Sequence, residues 1–102
     1  MNEWTDVASV TDIRPGTCQA FVAAGVAVVV FNLEGHFFCL EDCCSHDGAE
    51  LSSGEMDSGE IICPRHGARF DIRTGAVCTP PAYENIQVVP VRSNNGMVQI
   101  KQ

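Results

Sequence analysis

Two short segments, Cys44-Ser45-His46 and Cys63-Pro64-Arg65-His66, constrain this chain more than any other feature. Sixteen residues separate them. Each offers one thiol and one imidazole close enough in sequence to share a tight loop. Two such loops brought together present two sulfurs and two nitrogens to whatever lies between them. Zinc accepts such a set in tetrahedral geometry. So does a [2Fe–2S] centre in which two His replace two Cys on one iron. The bland alternative is free thiols and satisfied histidines with no metal. Spacing separates the two metals: zinc folds usually pair Cys with Cys on one knuckle and His with His on the other. Here each loop carries one of each, as it must if each supplies one ligand to each iron. Gly48 and Gly67 would let backbone pass close to inorganic sulfide.

With Gly48-Ala49 after the first half and Pro64 and Gly67 in the second, the pattern resembles the Rieske iron–sulfur signature. The likeness runs on through Phe70-Asp71, Thr74-Gly75 and Pro80-Pro81, so it spans most of the chain. It implies one Rieske-type [2Fe–2S] cluster, with Cys44 and Cys63 on one iron and His46 and His66 on the other.

Length and composition agree with a small domain. A chain of 102 residues supports one modest core and no second one, so residues 1–102 are read as a single domain with a cluster-binding lobe at about 41–72. Mean hydropathy is +0.05, and no apolar run approaches the ~20 residues of a membrane span. The polar, acidic start Met1-Asn2-Glu3-Trp4-Thr5-Asp6 predicts no secretory leader, hence a cytoplasmic protein without a membrane anchor. Six cysteines in so short a chain would suggest disulfides in a secreted protein, a reading that reducing cytosol disfavours. With two assigned to metal, Cys18, Cys39 and Cys78 are expected as small apolar filler within strands. Cys43 sits beside a ligand, but the Cys-x-His spacing belongs to Cys44.

The fold class expected is all-β: a Rieske-like antiparallel sandwich or barrel with the small lobe of two loops inserted. Strands are expected at about 3–8, 17–23, 26–32 and 36–40. The third is a near-continuous Val/Ala/Phe run suited to burial on both faces. Ser9–Asp12 reads as a helical turn closed at Pro15-Gly16, and Trp4 as a cover for one end of the core. Residues 51–60 hold only short strand candidates, and Ile61-Ile62 leads directly into Cys63. Final strands are expected at 86–92 and 97–101 around Asn94-Asn95-Gly96, a hairpin signal.

Charge counting indicates what such a cluster would do. Two ferric ions, two sulfides and two thiolates sum to zero with neutral imidazoles, and one electron makes the site −1. Four thiolates would give −2 and −3, so His ligation raises the potential, to about −150 to +300 mV against roughly −400 mV in plant-type ferredoxins. Respiratory relatives clamp their loops with a disulfide, but the corresponding positions here are Ala49 and Arg65. The family's cluster-donating Ser and Tyr hydroxyls correspond to Ala68 and Phe70. Both departures imply a potential near the low end, around −150 mV, and resemble the ferredoxin components of ring-hydroxylating oxygenases of aromatic hydrocarbon catabolism.

Nothing else in the sequence transforms a substrate. Activating O2 at mononuclear iron typically needs two His and a carboxylate. Of the three His, the cluster takes two, leaving His36 as an ordinary surface residue. No Gly-x-Gly-x-x-Gly loop offers a flavin or nicotinamide site. The chain is therefore read as an electron shuttle rather than an enzyme. It would be a monomer, taking electrons from a flavin-dependent ferredoxin reductase and passing them to a terminal oxygenase. The small subunit of an assimilatory nitrite reductase, which shares the fold, and a zinc-bound structural or adaptor module are the alternatives. Net charge is −7, and seven of the thirteen acidic residues lie within 41–60, which has no Lys or Arg. That stretch is either a solvated face or an acidic patch that steers basic partners. Arg65 and Arg69 could instead pair with loop acids. Such acidity argues against nucleic acid.

Overall fold

The computed structural model describes residues 4–43, 50–65, 67–79 and 84–101. Among these residues nine strands run in chain order: β1 Trp4–Ser9, β2 Cys18–Ala23, β3 Val26–Leu33, β4 His36–Glu41, β5 Glu55–Asp57, β6 Glu60–Ile62, β7 Arg69–Asp71, β8 Val91–Asn94 and β9 Met97–Lys101. One 3-10 turn, Leu51–Ser53, precedes β5. Among the described residues there is no α-helix, and no helix long and apolar enough to cross a membrane. The strands form three antiparallel sheets ordered β1-β9-β8, β2-β3-β4 and β5-β6-β7, in keeping with the all-β expectation.

β3 explains how the layers stack. Strand side chains alternate between faces, and here both faces are buried: Val28 to Phe31 are all fully inaccessible. Val28 and Val30 pack with Ala8, Val98 and Ile100 of the first sheet. Val29 and Phe31 pack with Leu51, Ile61, Cys63 and Phe70 on the other side. The middle sheet therefore supports the third sheet, and Cys63 with it, on one face. Burying each such large side chain stabilises the fold by about 1.5–3 kcal/mol.

The tight turns follow from local chemistry. Ala24-Gly25, Glu34-Gly35, Ser58-Gly59 and Asn95-Gly96 each pair two positive-φ residues, at 50–53° and then 78–92°. That conformation matches strand twist in two-residue hairpins, and the glycine adopts it without a Cβ penalty.

Three expectations are corrected. Ser9–Asp12 is a hydrogen-bonded turn rather than a helical one, closed by the Asp12 N–H on the Ser9 carbonyl at 2.9 Å and by the Ser9 N–H on Asp12 Oδ2 at 3.1 Å. The expected strand at 86–92 is shorter and begins at Val91. Pro90 has no N–H to give a ladder, and the residues before it bridge the sheets through Glu41 N–H to the Gln87 carbonyl (3.0 Å) and Val89 N–H to the Cys39 carbonyl (2.9 Å). Cys78 is exposed and lies outside any strand. Cys39 is the buried filler expected, while Cys18 is half-buried at the start of β2. Trp4 is half-buried, with the Arg92 guanidinium 4.2 Å and the Lys101 ammonium 5.8 Å from its ring centroid.

Candidate metal centre

Of the four expected ligands, Cys63 is described. Cys44, His46 and His66 lie outside the described residues. Among the described residues no three metal-ligating side chains stand together.

Cys63 follows the last residue of β6 and is 1% exposed. Its N–H donates to the Ala68 carbonyl at 2.8 Å, and its carbonyl accepts from the Gly67 N–H at 3.0 Å. These two bonds close a loop over 64–67. Gly67 turns it at φ +75°, a left-handed conformation that glycine adopts readily. Pro64, Arg65 and Gly67 are exposed while Cys63 and Ala68 are buried. The thiol thus sits on the inner side of a loop whose tip faces solvent, with both neighbours of His66 at the surface. Among the described residues Cys63 Sγ makes no hydrogen bond. A buried thiol at the base of a hydrogen-bonded loop fits an iron ligand.

The surroundings of this sulfur are apolar. Ala68 and Phe70 are both fully buried in the cluster of core residues that includes Cys63, Leu51 and Ile61. Neither brings a hydroxyl, so the departure read in the sequence sits in the core around Cys63.

The entry to the first loop is also well defined. Asp42 is 6% exposed. Its Oδ1 accepts the Ser52 N–H at 2.8 Å and its Oδ2 the Ser52 hydroxyl at 2.7 Å. Its own N–H donates to the Ala27 carbonyl at 3.0 Å. Sequence reasoning missed this pair: an Asp ten residues before a Ser carries no local signal, and only the fold brings them together. Arg69, by contrast, does pair with acids of the lobe. Its Nη1 reaches Asp57 at 3.1 Å and Glu60 at 3.2 Å, and these hydrogen bonds hold the guanidinium above its ordinary pKa. Arg73 lies 5.6 Å from the Phe38 ring centroid. His36 is exposed at the start of β4.

Residues 3–90 match the Rieske [2Fe-2S] domain family. The chain belongs to that family. Its cofactor is accordingly one Rieske-type [2Fe–2S] cluster. Over 98 residues it is 31% identical to the ferredoxin component of the naphthalene 1,2-dioxygenase system of Pseudomonas putida, covering 96% of this chain and 94% of that protein. The ferredoxin of carbazole 1,9a-dioxygenase from Nocardioides aromaticivorans IC177 superposes with a TM-score of 0.92 at 30% identity, over 95% of each chain. A chain from a complex of reduced oxygenase and oxidized ferredoxin in carbazole 1,9a-dioxygenase gives 0.91 at 31% identity, over 96% of this chain and 92% of that one. These Rieske relatives are electron-transfer components rather than catalysts, and they lend no support to the nitrite reductase or zinc readings.

Proposed function

We propose that this chain is the ferredoxin component of a multicomponent ring-hydroxylating oxygenase, carrying single electrons from a flavin-dependent reductase to a terminal non-haem iron oxygenase. The observation that carries the reading is the end-to-end match to ferredoxin components, 96% of this chain on 94% of the naphthalene-system protein, with both mixed Cys/His segments intact. Cys44 and Cys63 would hold one iron, and His46 and His66 the other. Residues 1–102 form one Rieske domain with its lobe at about 41–72, acting as a cytoplasmic monomer.

Bound there, the cluster supplies one-electron transfer. The chain's own residues do the rest. Cys63 is kept from water at the base of its loop, while Arg65 and Gly67, the sequence neighbours of His66, are exposed. A partner docking at that tip receives the electron over a short path. Buried, hydroxyl-free Ala68 and Phe70 leave the reduced, more negative cluster with fewer donors, which favours a low potential. Glu50 and Glu55 are exposed within the lobe and steer basic partner surfaces.

Reconstitution tests the assignment. Purified reductase and terminal oxygenase of such a system should form product from an aromatic substrate only when this chain is added. Failure of the chain to accept an electron from any such reductase, with its cluster intact, would overturn the assignment.

A further inference from the structure

Ala49 and Arg65 leave the two cluster loops without the disulfide that clamps them in respiratory relatives, so something else must fix their separation. The second loop closes on itself through Cys63 and Ala68. The mouth of the first, between Cys43 and Leu51, is spanned by the Asp42 carboxylate, which takes the Ser52 N–H at 2.8 Å and the Ser52 hydroxyl at 2.7 Å. Two further contacts anchor this pair. Asp42 N–H is tied to the Ala27 carbonyl at 3.0 Å, and the Cys18 thiol donates to the Ser52 carbonyl at 3.8 Å.

Just past Ser52 the chain meets the strand that enters the second loop. A Cβ on Gly54 would collide with the Ile62 carbonyl oxygen and stand 3.1 Å from its carbon. Backbone cannot yield as a flexible side chain does, so only glycine permits this approach. Ile62 is followed by Cys63. The Asp42–Ser52 hydrogen bonds, the short backbone stretch from Ser52 to Gly54 and the close approach of Gly54 to Ile62 therefore join the start of one ligand loop to the start of the other.

We propose that Asp42 and Ser52 are positioning residues for the cluster, and that with Gly54 as the close contact they hold the two ligand loops at fixed separation in place of a disulfide. This rests on the Rieske reading of Cys44, His46, Cys63 and His66. A carboxylate is suited to the task because charge-assisted hydrogen bonds are short and about twice as strong as neutral ones. Near-complete burial keeps water from competing for them. Fixed loops also limit the rearrangement between oxidation levels.

The test uses the holoprotein and two readouts: cluster bleaching by a strong iron chelator well below the melting temperature, and the EPR line shape after dithionite reduction. Asp42→Ala should bleach at least about tenfold faster, the factor a lost charge-assisted bond implies, with broadened EPR lines as loop geometry becomes heterogeneous. Ser52→Ala keeps the N–H bond and should fall between. Asp42→Asn should recover part of the loss seen in Asp42→Ala, because its amide oxygen can accept the Ser52 N–H and its NH2 can donate to the Ser52 hydroxyl, but only as neutral bonds. If Asp42→Ala does not fold, faster bleaching of Asp42→Asn and Ser52→Ala than of wild type carries the comparison. Wild-type-like bleaching and line shape in Ser52→Ala and Asp42→Ala, with only a lower melting temperature, would overturn the proposal and leave the Rieske reading standing. A wild-type protein with no cluster would overturn both.

Discussion

Replacing Phe70 with Tyr asks whether missing hydroxyls set the potential. Phe70 is fully inaccessible and shares its core cluster with Cys63 and Ala68, so a phenolic oxygen added there cannot turn to bulk water. It has two fates. If it reaches a cluster sulfur, it donates to an atom whose charge grows on reduction and so favours the reduced form. A bond stronger by ~0.5–1.5 kcal/mol in that form raises a one-electron midpoint by roughly 20–65 mV, since 59 mV corresponds to a factor of ten. If it finds no acceptor, the buried hydroxyl costs about 1–3 kcal/mol of stability and leaves the potential unchanged. A spectroelectrochemical titration and a thermal melt of the same sample separate these fates. The expected result is a midpoint raised by tens of millivolts from a wild-type value near the low end of the Rieske range, around −150 mV, with the melt held. An unchanged midpoint with a lowered melt, or a wild-type midpoint above zero, would refute the reasoning.

Burial pushes the Cys39 thiol from 9.0 up to about 12. The folded chain therefore keeps a proton that the unfolded chain loses above pH 9. Its contribution is fully present below that pH and is lost as pH rises toward 12, at about 1.4 kcal/mol per pH unit. Urea unfolding at pH 7 to 11 should show Cys39→Ala with a correspondingly shallower loss than wild type, and equal slopes would contradict the burial argument. Alkylation of the native protein with iodoacetamide should label exposed Cys78 well before Cys39, a contrast checked by peptide mass spectrometry. Partial desolvation and then Glu60 raise the Cys78 pKa, so its labelling should also be slower than that of a free thiol. Glu50→Lys should slow electron transfer to the oxygenase at low salt, with the difference vanishing above about 0.5 M as charges are screened. Identical low-salt rates would favour a merely solvated acidic face.

Local chemistry made much of this legible in advance. The unbroken apolar run of β3 announced a strand buried on both faces, Asn95-Gly96 announced its hairpin, and the mixed Cys/His spacing announced the Rieske family by resemblance. What escaped was tertiary. The burial of Asp42 against Ser52, and the closeness of Gly54 to Ile62, depend on elements that meet only after folding. The strand expected at 86–92 begins only at Val91, because Pro90 has no N–H to give and residues 87–89 bridge to β4 instead. Cys78 was placed inside by residue type alone, yet it follows Val77, which makes a single bridge to Phe70, and lies outside any strand.

Mixed ligation by Cys44, His46, Cys63 and His66 is the central claim, and nitrogen hyperfine spectroscopy tests it most directly. Protein grown with 15N-histidine and reduced with dithionite should show strong electron–nuclear couplings from two iron-bound imidazoles, lost separately in His46→Cys and His66→Cys. A reduced signal indifferent to histidine labelling, or iron-replete protein without any paramagnetic signal, would contradict it.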